Sequence, residues 1–318
     1  MKALAAALGF IGRHGTLLAA LSILVGLAVP PLATLLKPML GAVIVGLVTL
    51  SFLRVDPAAL RGHFKRPGLI AAAAVWLMLV APALIGAAFL GAGLGRAMPG
   101  LFFMLVLQLS APGLMSAPAL AALLGLDMAL TLAALIMSIA AAPVTAGLFT
   151  HAFLGTALTS PLALGLRLAS IIAGSALVAA IVRRFAGAAF IEAQALRIDG
   201  LSVLLLIVFA IAAMDGVTAH LVSDPLLVLA LTLLAFALSL GMIAMTTLVF
   251  WPAGRARAFA IGLLAGSRNT SLMLAATGFV VPDVAWLYFA VSQFPIYLLP
   301  IMLRPVARWA TREGSNDG

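Results

Sequence analysis

Arg268 poses the first chemical question. It stands within Gly266-Ser267-Arg268-Asn269-Thr270-Ser271, in an apolar stretch that contains no acidic residue. A charge in hydrocarbon costs at least ~2.5 kcal/mol even on insertion scales, so an arginine there needs a partner or a purpose. Its planar fork can take a carboxylate or sulfonate bidentately, which makes it a candidate anion site. Alternatively its N–H groups satisfy backbone carbonyls freed by a helix break. A second polar cluster, Gln108-Leu-Ser110-Ala-Pro112-Gly113-Leu-Met-Ser116-Ala-Pro118, carries the same mixture of helix breakers and hydroxyls. Proline removes an N–H and clashes with the preceding turn, and glycine loosens the backbone, so both stretches predict interrupted helices. The helix starts after Gly113 and Asn269 would present N–H groups and a positive dipole end, which suit an anion. Candidate substrate-binding residues are therefore Ser110, Pro112, Gly113, Ser116, Gly266, Ser267, Arg268, Asn269, Thr270 and Ser271, with Gln293 beside Pro295.

Arg167 and Asp215 raise a second question. Each is expected about seven residues from the same end of a span, so at ~1.5 Å rise per residue they reach similar depth and can pair. The alternative is that Asp215 titrates and carries protons. Other chemistries are excluded or poorly served. The chain has no cysteine, which removes disulfides and thiolate sites, and its four histidines do not stand at metal-ligand spacings. There is no HExxH, no GxSxG and no acid pair within one span, so no enzyme activity and no cofactor are expected.

The elements that must position these residues follow from composition. The chain is 65% hydrophobic and 8% charged, with a mean hydropathy of +1.26. Roughly a quarter of the residues of an average soluble domain are charged, so lipid must solvate this one. Backbone polar groups cannot face hydrocarbon unpaired, and the apolar runs are long rather than alternating, which selects helices over a barrel. Ten spans are expected: 16–35, 38–53, 68–91, 99–123, 128–153, 161–182, 201–221, 225–251, 259–280 and 284–303. All but Lys37, Arg96, Arg167 and Arg268 of the eighteen Lys and Arg then fall on the side of the N-terminus. This bias predicts cytoplasmic termini in a bacterial inner membrane, and it accounts for the +9 charge without nucleic acid. Trp251, Trp286 and Trp309 fall where an aromatic belt would place them. Arg13 and His14 interrupt the apolar start, so a cleaved signal is not expected.

One membrane domain, 1–318, accounts for the chain, and five spans per half put the halves (16–153 and 161–303) in opposite orientations. Each half has its interrupted helix in fourth place, the arrangement of inverted-repeat carriers. A passive channel would show a polar stripe across several spans, and none is present.

At these residues the sequence resembles the bile acid:sodium symporter family. The matching stretches are Ser110-Ala-Pro-Gly113, Leu124-Gly-Leu-Asp127-Met-Ala-Leu130, Ser138 with Ala142-Pro143, the basic loop from Leu53 to Pro67, and Gly266-Ser-Arg-Asn269. The resemblance implies a panel of spans 1, 2, 6 and 7 rocking against a core of spans 3–5 and 8–10. Spans 4 and 9 would cross at their unwound centres beside an organic anion. It also implies sodium ligands at positions that here hold Ala117, Pro118 and Leu264, with Arg268 and Trp76 or Leu77 where glutamines would stand. The expectation is a carrier that does not need sodium, with Arg268 in its place. Sodium bound by backbone carbonyls, or protons bound by Asp215, are the alternatives. The partners are the bilayer and the substrate, and oligomeric state is open.

Overall fold

The computed structural model describes residues 15–55, 67–155 and 160–311, and the described residues are helical, with one isolated antiparallel bridge. In chain order the helices are α1 (Gly15–Ala28), α2 (Pro30–Arg54), α3 (Pro67–Gly91), α4 (Pro99–Ser110), α5 (Ala117–Leu123), α6 (Met128–Leu154), α7 (Pro161–Ala186), α8 (Ala195–Ser223), α9 (Pro225–Val249), α10 (Arg255–Gly266), α11 (Thr270–Ala276), α12 (Asp283–Met302) and α13 (Arg304–Thr311). Short helices Leu94–Ala97 and Ala188–Ala193 join α3 to α4 and α7 to α8.

Seven of these, α2, α3, α6, α7, α8, α9 and α12, are long and apolar enough to cross a membrane. Large side chains such as Leu162, Leu166 and Phe185 on α7, and Leu226, Leu233 and Leu248 on α9, stand exposed. Exposed apolar surface on this scale needs lipid around it, so the chain is a multi-pass α-helical membrane protein. The other three expected spans correspond to α1 and to the interrupted pairs α4–α5 and α10–α11.

Proline fixes several boundaries. Pro30, Pro67, Pro99, Pro161 and Pro225 each open a helix, where the missing N–H costs nothing. Pro30 also corrects the expected first loop. The helix breaks at Val29, which precedes a proline and leaves the helical conformation (φ −126°, ψ 71°), so Lys37 lies in a 3₁₀ turn inside α2 and not between spans. Asp127 caps α6 by accepting from the N–H of Leu130 at 2.9 Å.

Two bodies of packed helices meet along α7, which packs on α6 of the second as extensively as on α2 of the first. In one, α8 lies along α1 and α2, and α7 along α2. In the other, α9 lies along α10, α4 packs on α12, and α6 contacts α3, α4 and α10. Gly262 and Gly266 set the α9–α10 distance: a Cβ on either would meet α9 backbone, at 2.8 Å from the Ile243 oxygen and 2.7 Å from the Ser239 oxygen. Both glycines are helical, so the sequence expectation that Gly266 contributes to the break and to the site is corrected. Its role is close packing of α10 on α9.

Candidate functional site at the helix breaks

The interruptions fall at residues 111–116 and 267–269. They meet each other. The N–H of Leu114 donates to the Ser267 oxygen (2.8 Å) and the N–H of Asn269 donates to the Pro112 oxygen (2.9 Å), forming the Gly113–Arg268 bridge. The backbone groups that each helix loses at its break are thus partly satisfied by the other, as an apolar interior requires. Gly113 is tightly enclosed: a Cβ there would overlap the side chain of Leu264, and its N–H reaches the Ser138 hydroxyl at 3.3 Å.

Arg268 is 2% exposed and lies at this meeting point. Its Nε donates to the Ala265 oxygen (2.8 Å), Nη1 to the Ala111 oxygen (2.9 Å) and Nη2 to the Leu77 oxygen (3.0 Å), with the sulfur of Met78 3.9 Å from Nη1. Ala111 is the cap residue of broken α4, and Ala265 belongs to the last turn of α10. Leu77 lies in the π-helical turn Trp76–Val80 of α3, where the ordinary ladder is interrupted. Three breaks in regular backbone therefore converge on one guanidinium, and no carboxylate pairs with it among the described residues. This corrects one part of the expectation. The fork is engaged by carbonyls and is not presented bidentately to a ligand. What the arrangement leaves is a buried, uncompensated positive charge.

Beside the breaks is a cavity of about 220 Å³. Of the expected substrate residues, Ser116, Arg268, Asn269, Thr270, Ser271 and Gln293 line it. Ser110, Pro112, Gly113, Gly266 and Ser267 do not. Ser110 turns its hydroxyl back to the Val106 oxygen (2.7 Å), the usual habit of serine in a membrane helix. Asn269 caps α11, its Oδ1 accepting from the N–H of Leu272 (3.3 Å) and the Ser271 hydroxyl (2.8 Å). With the N–H groups of Gly113, Leu114 and Asn269 also taken, the helix starts offer an anion fewer free donors than the sequence led us to expect. The opposite wall, from α2 and α8, is largely aliphatic and aromatic: Ile44, Leu47, Val48, Leu206 and Phe209. Ser51, Ser202 and Tyr297 also line the cavity and were missed. An isolated serine in an otherwise apolar span was the sequence signal for the first two. The carbonyls of Leu77, Ala111 and Ala265 had none, because a backbone contribution leaves no trace in residue type.

The positions Ala117, Pro118 and Leu264 are buried, with Ala117 and Leu264 at 0% exposure. Leu264 packs over Gly113, so hydrocarbon fills the space beside the first break. The nearby Trp76 ring donates through Nε1 to the Thr246 hydroxyl at 2.9 Å.

Asp215 and Arg167 are not a pair. Asp215 bonds to Lys37 Nζ (2.9 Å) and accepts from the Thr34 hydroxyl (2.6 Å), while Arg167 is exposed on α7 and makes no ion pair among the described residues. Equal depth would hold only if α8 were continuous. In fact α8 turns at residues 214–216, with Gly216 at φ 78°, and the early start of α2 brings Thr34 and Lys37 alongside. Trp286 is likewise not a lipid-facing belt residue. It is 8% exposed, and its Nε1 donates to the Asp215 oxygen at 2.9 Å.

Comparison of the sequence with protein-family models and with curated proteins gives no match in either case.

Proposed function

We propose that this chain is a secondary carrier of the bile acid:sodium symporter type, moving a small organic anion by alternating access without sodium. The observation that carries the reading is the Arg268 guanidinium, buried where two interrupted helices meet and held by three carbonyls that a metal ion would otherwise attract. Carbonyl dipoles solvate a cation but do not cancel it. An anionic group ~5 Å away would gain roughly 3 kcal/mol at an effective dielectric of 20, which offsets part of its desolvation. A second cation ~4 Å away would lose about 4 kcal/mol by the same arithmetic. Apolar Ala117, Pro118 and Leu264 offer sodium no side-chain oxygen, and the carbonyls of Ala111, Leu77 and Ala265 are already engaged.

On this reading the chain has ten spans in two inverted repeats, with α4–α5 and α10–α11 as the fourth and ninth. The body of α1, α2, α7 and α8 is the panel, and the rest is the core. Both termini and the Arg54 end face the cytoplasm, and the protein resides in a bacterial inner membrane. Residues of both bodies line the cavity, as rocking of one past the other requires. Charge acts on the substrate from Arg268, and the side chains of Ser116, Asn269, Thr270 and Gln293 offer hydrogen bonds around it. The reading is tested by uptake of labelled organic anions into proteoliposomes. Saturable, counter-anion-stimulated uptake is expected. Unsaturable ion leakage, or no uptake of any anion tested, would overturn it.

A further inference from the structure

The two ends of the molecule are built differently. The substrate cavity runs to the Arg54 end, since its wall includes Ser51 and Ser202, each within a turn of Arg54 or Asp199. At the Lys37 end the same two bodies are joined. Trp286 on α12 donates its indole N–H to the Asp215 oxygen (2.9 Å), and its ring lies under Lys37 Nζ, 4.3 Å from the centroid. Lys37 and Thr34 come from α2 and Asp215 from the turn in α8. A polar cavity of about 290 Å³ surrounds the cluster, with His220 and Asp283 on its walls.

We propose that Lys37, Asp215 and Trp286 form the gate at the Lys37 end, closed in this structure and parting when the substrate cavity opens to that side. The proposal rests on the carrier reading above. Its basis is how the contacts are divided. The ion pair and the Thr34 bond lie wholly within one body, between α2 and α8, so their charges stay compensated when the bodies separate. Among the described residues, two polar contacts of the cluster cross to α12, an indole-to-carbonyl hydrogen bond and a cation over a ring. Both are modest interactions whose loss costs no buried unpaired charge. A structural staple would put the ion pair itself across the boundary. Here the strong bond stays on one side, and the weak ones carry the closure. Trp286 is the positioning residue, because both crossing contacts pass through its ring.

The chain contains no cysteine, so single reporters can be placed without removing any. Val217→Cys, on the wall of the polar cavity and 1% exposed, reports opening at the Lys37 end, and Ser202→Cys reports the substrate cavity. An impermeant maleimide is applied from each side in oriented vesicles. Trp286→Phe keeps an aromatic face but removes the N–H and the second ring, while Lys37→Met keeps the apolar stem and removes the charge. Each should speed Val217→Cys labelling by about fivefold, the population shift equivalent to losing one ordinary hydrogen bond, and slow Ser202→Cys labelling in step. Faster labelling at Val217→Cys with Ser202→Cys unchanged means local loosening and overturns the gate. Unchanged labelling at both, in a protein that still transports, overturns the gate alone. Absence of any organic-anion uptake by the unmodified chain overturns the carrier reading instead.

Discussion

Lys37 and Arg268 are two cations of this apolar bundle, one at its edge and one in its interior, and the protein deals with them in opposite ways. Lys37 is 42% exposed and is matched by a carboxylate, so the pair contributes no net charge. Arg268 is 2% exposed and is matched by the carbonyls of Ala265, Ala111 and Leu77, so its charge remains. The first arrangement suits a contact that must form and part without leaving bare charge in low dielectric. The second suits a site that must attract an opposite charge from outside. A buried acid beside Arg268 would have been the simpler way to stabilise it, and would have removed its usefulness to an anion. On the proposed reading, the partner's net charge separates closure from binding, and burial alone does not.

Removing the guanidinium should have the largest effect. Arg268→Met leaves three buried carbonyls without donors, each a loss of about 1–3 kcal/mol, so unfolding in detergent should be eased by roughly 3 kcal/mol or more. Arg268→Lys keeps the charge and part of the bonding, and should retain both fold and partial anion binding. If Arg268→Met melts like the parent, the carbonyl cage is not what holds the crossing. Next in size is Gly266→Val, which forces α10 away from the Ser239 oxygen and should cost about 1–3 kcal/mol by overpacking. Gly174→Ala, with open space around its Cβ, is the control and should not destabilise the protein. Asp215→Asn should cost about 1 kcal/mol or less, because Lys37 is partly solvated. Exchanging Lys37 and Asp215 should restore part of that loss, whereas exchanging Asp215 and Arg167 should not. Arg167→Gln should be the smallest, within about 0.5 kcal/mol, since Arg167 is exposed and without an ion pair among the described residues. A larger loss at Arg167 than at Lys37 would reinstate the pairing that the sequence suggested.

These corrections mark where the sequence was readable. Pro112, Gly113 and the run from Ser267 to Ser271 located both interruptions, because helix breakers and polar side chains announce themselves by residue type. The isolation of Arg268 from any acid was equally plain. Its partners were not, since Leu77, Ala111 and Ala265 act through backbone oxygens, and nothing in Trp76–Val80 announces a π-turn. Gly266 misled because a glycine that permits close helix packing reads like one that loosens a helix. Asp215 misled through arithmetic: moving the start of α2 back to Pro30 and turning α8 at Gly216 changed which cation it met. Depth estimates along ideal helices fail where the helix is not ideal.

Whether Arg268 stands in for sodium is decided by uptake with sodium replaced. Proteoliposomes holding the unmodified chain and Arg268→Gln are loaded identically, and organic-anion uptake is measured in sodium, potassium and choline. Equal rates are expected in all three for the unmodified chain, with loss of uptake in Arg268→Gln that sodium does not restore, because Ala117, Pro118 and Leu264 still offer it no side-chain oxygen. Strict dependence on sodium in the unmodified chain would mean that Arg268 does not replace the ion.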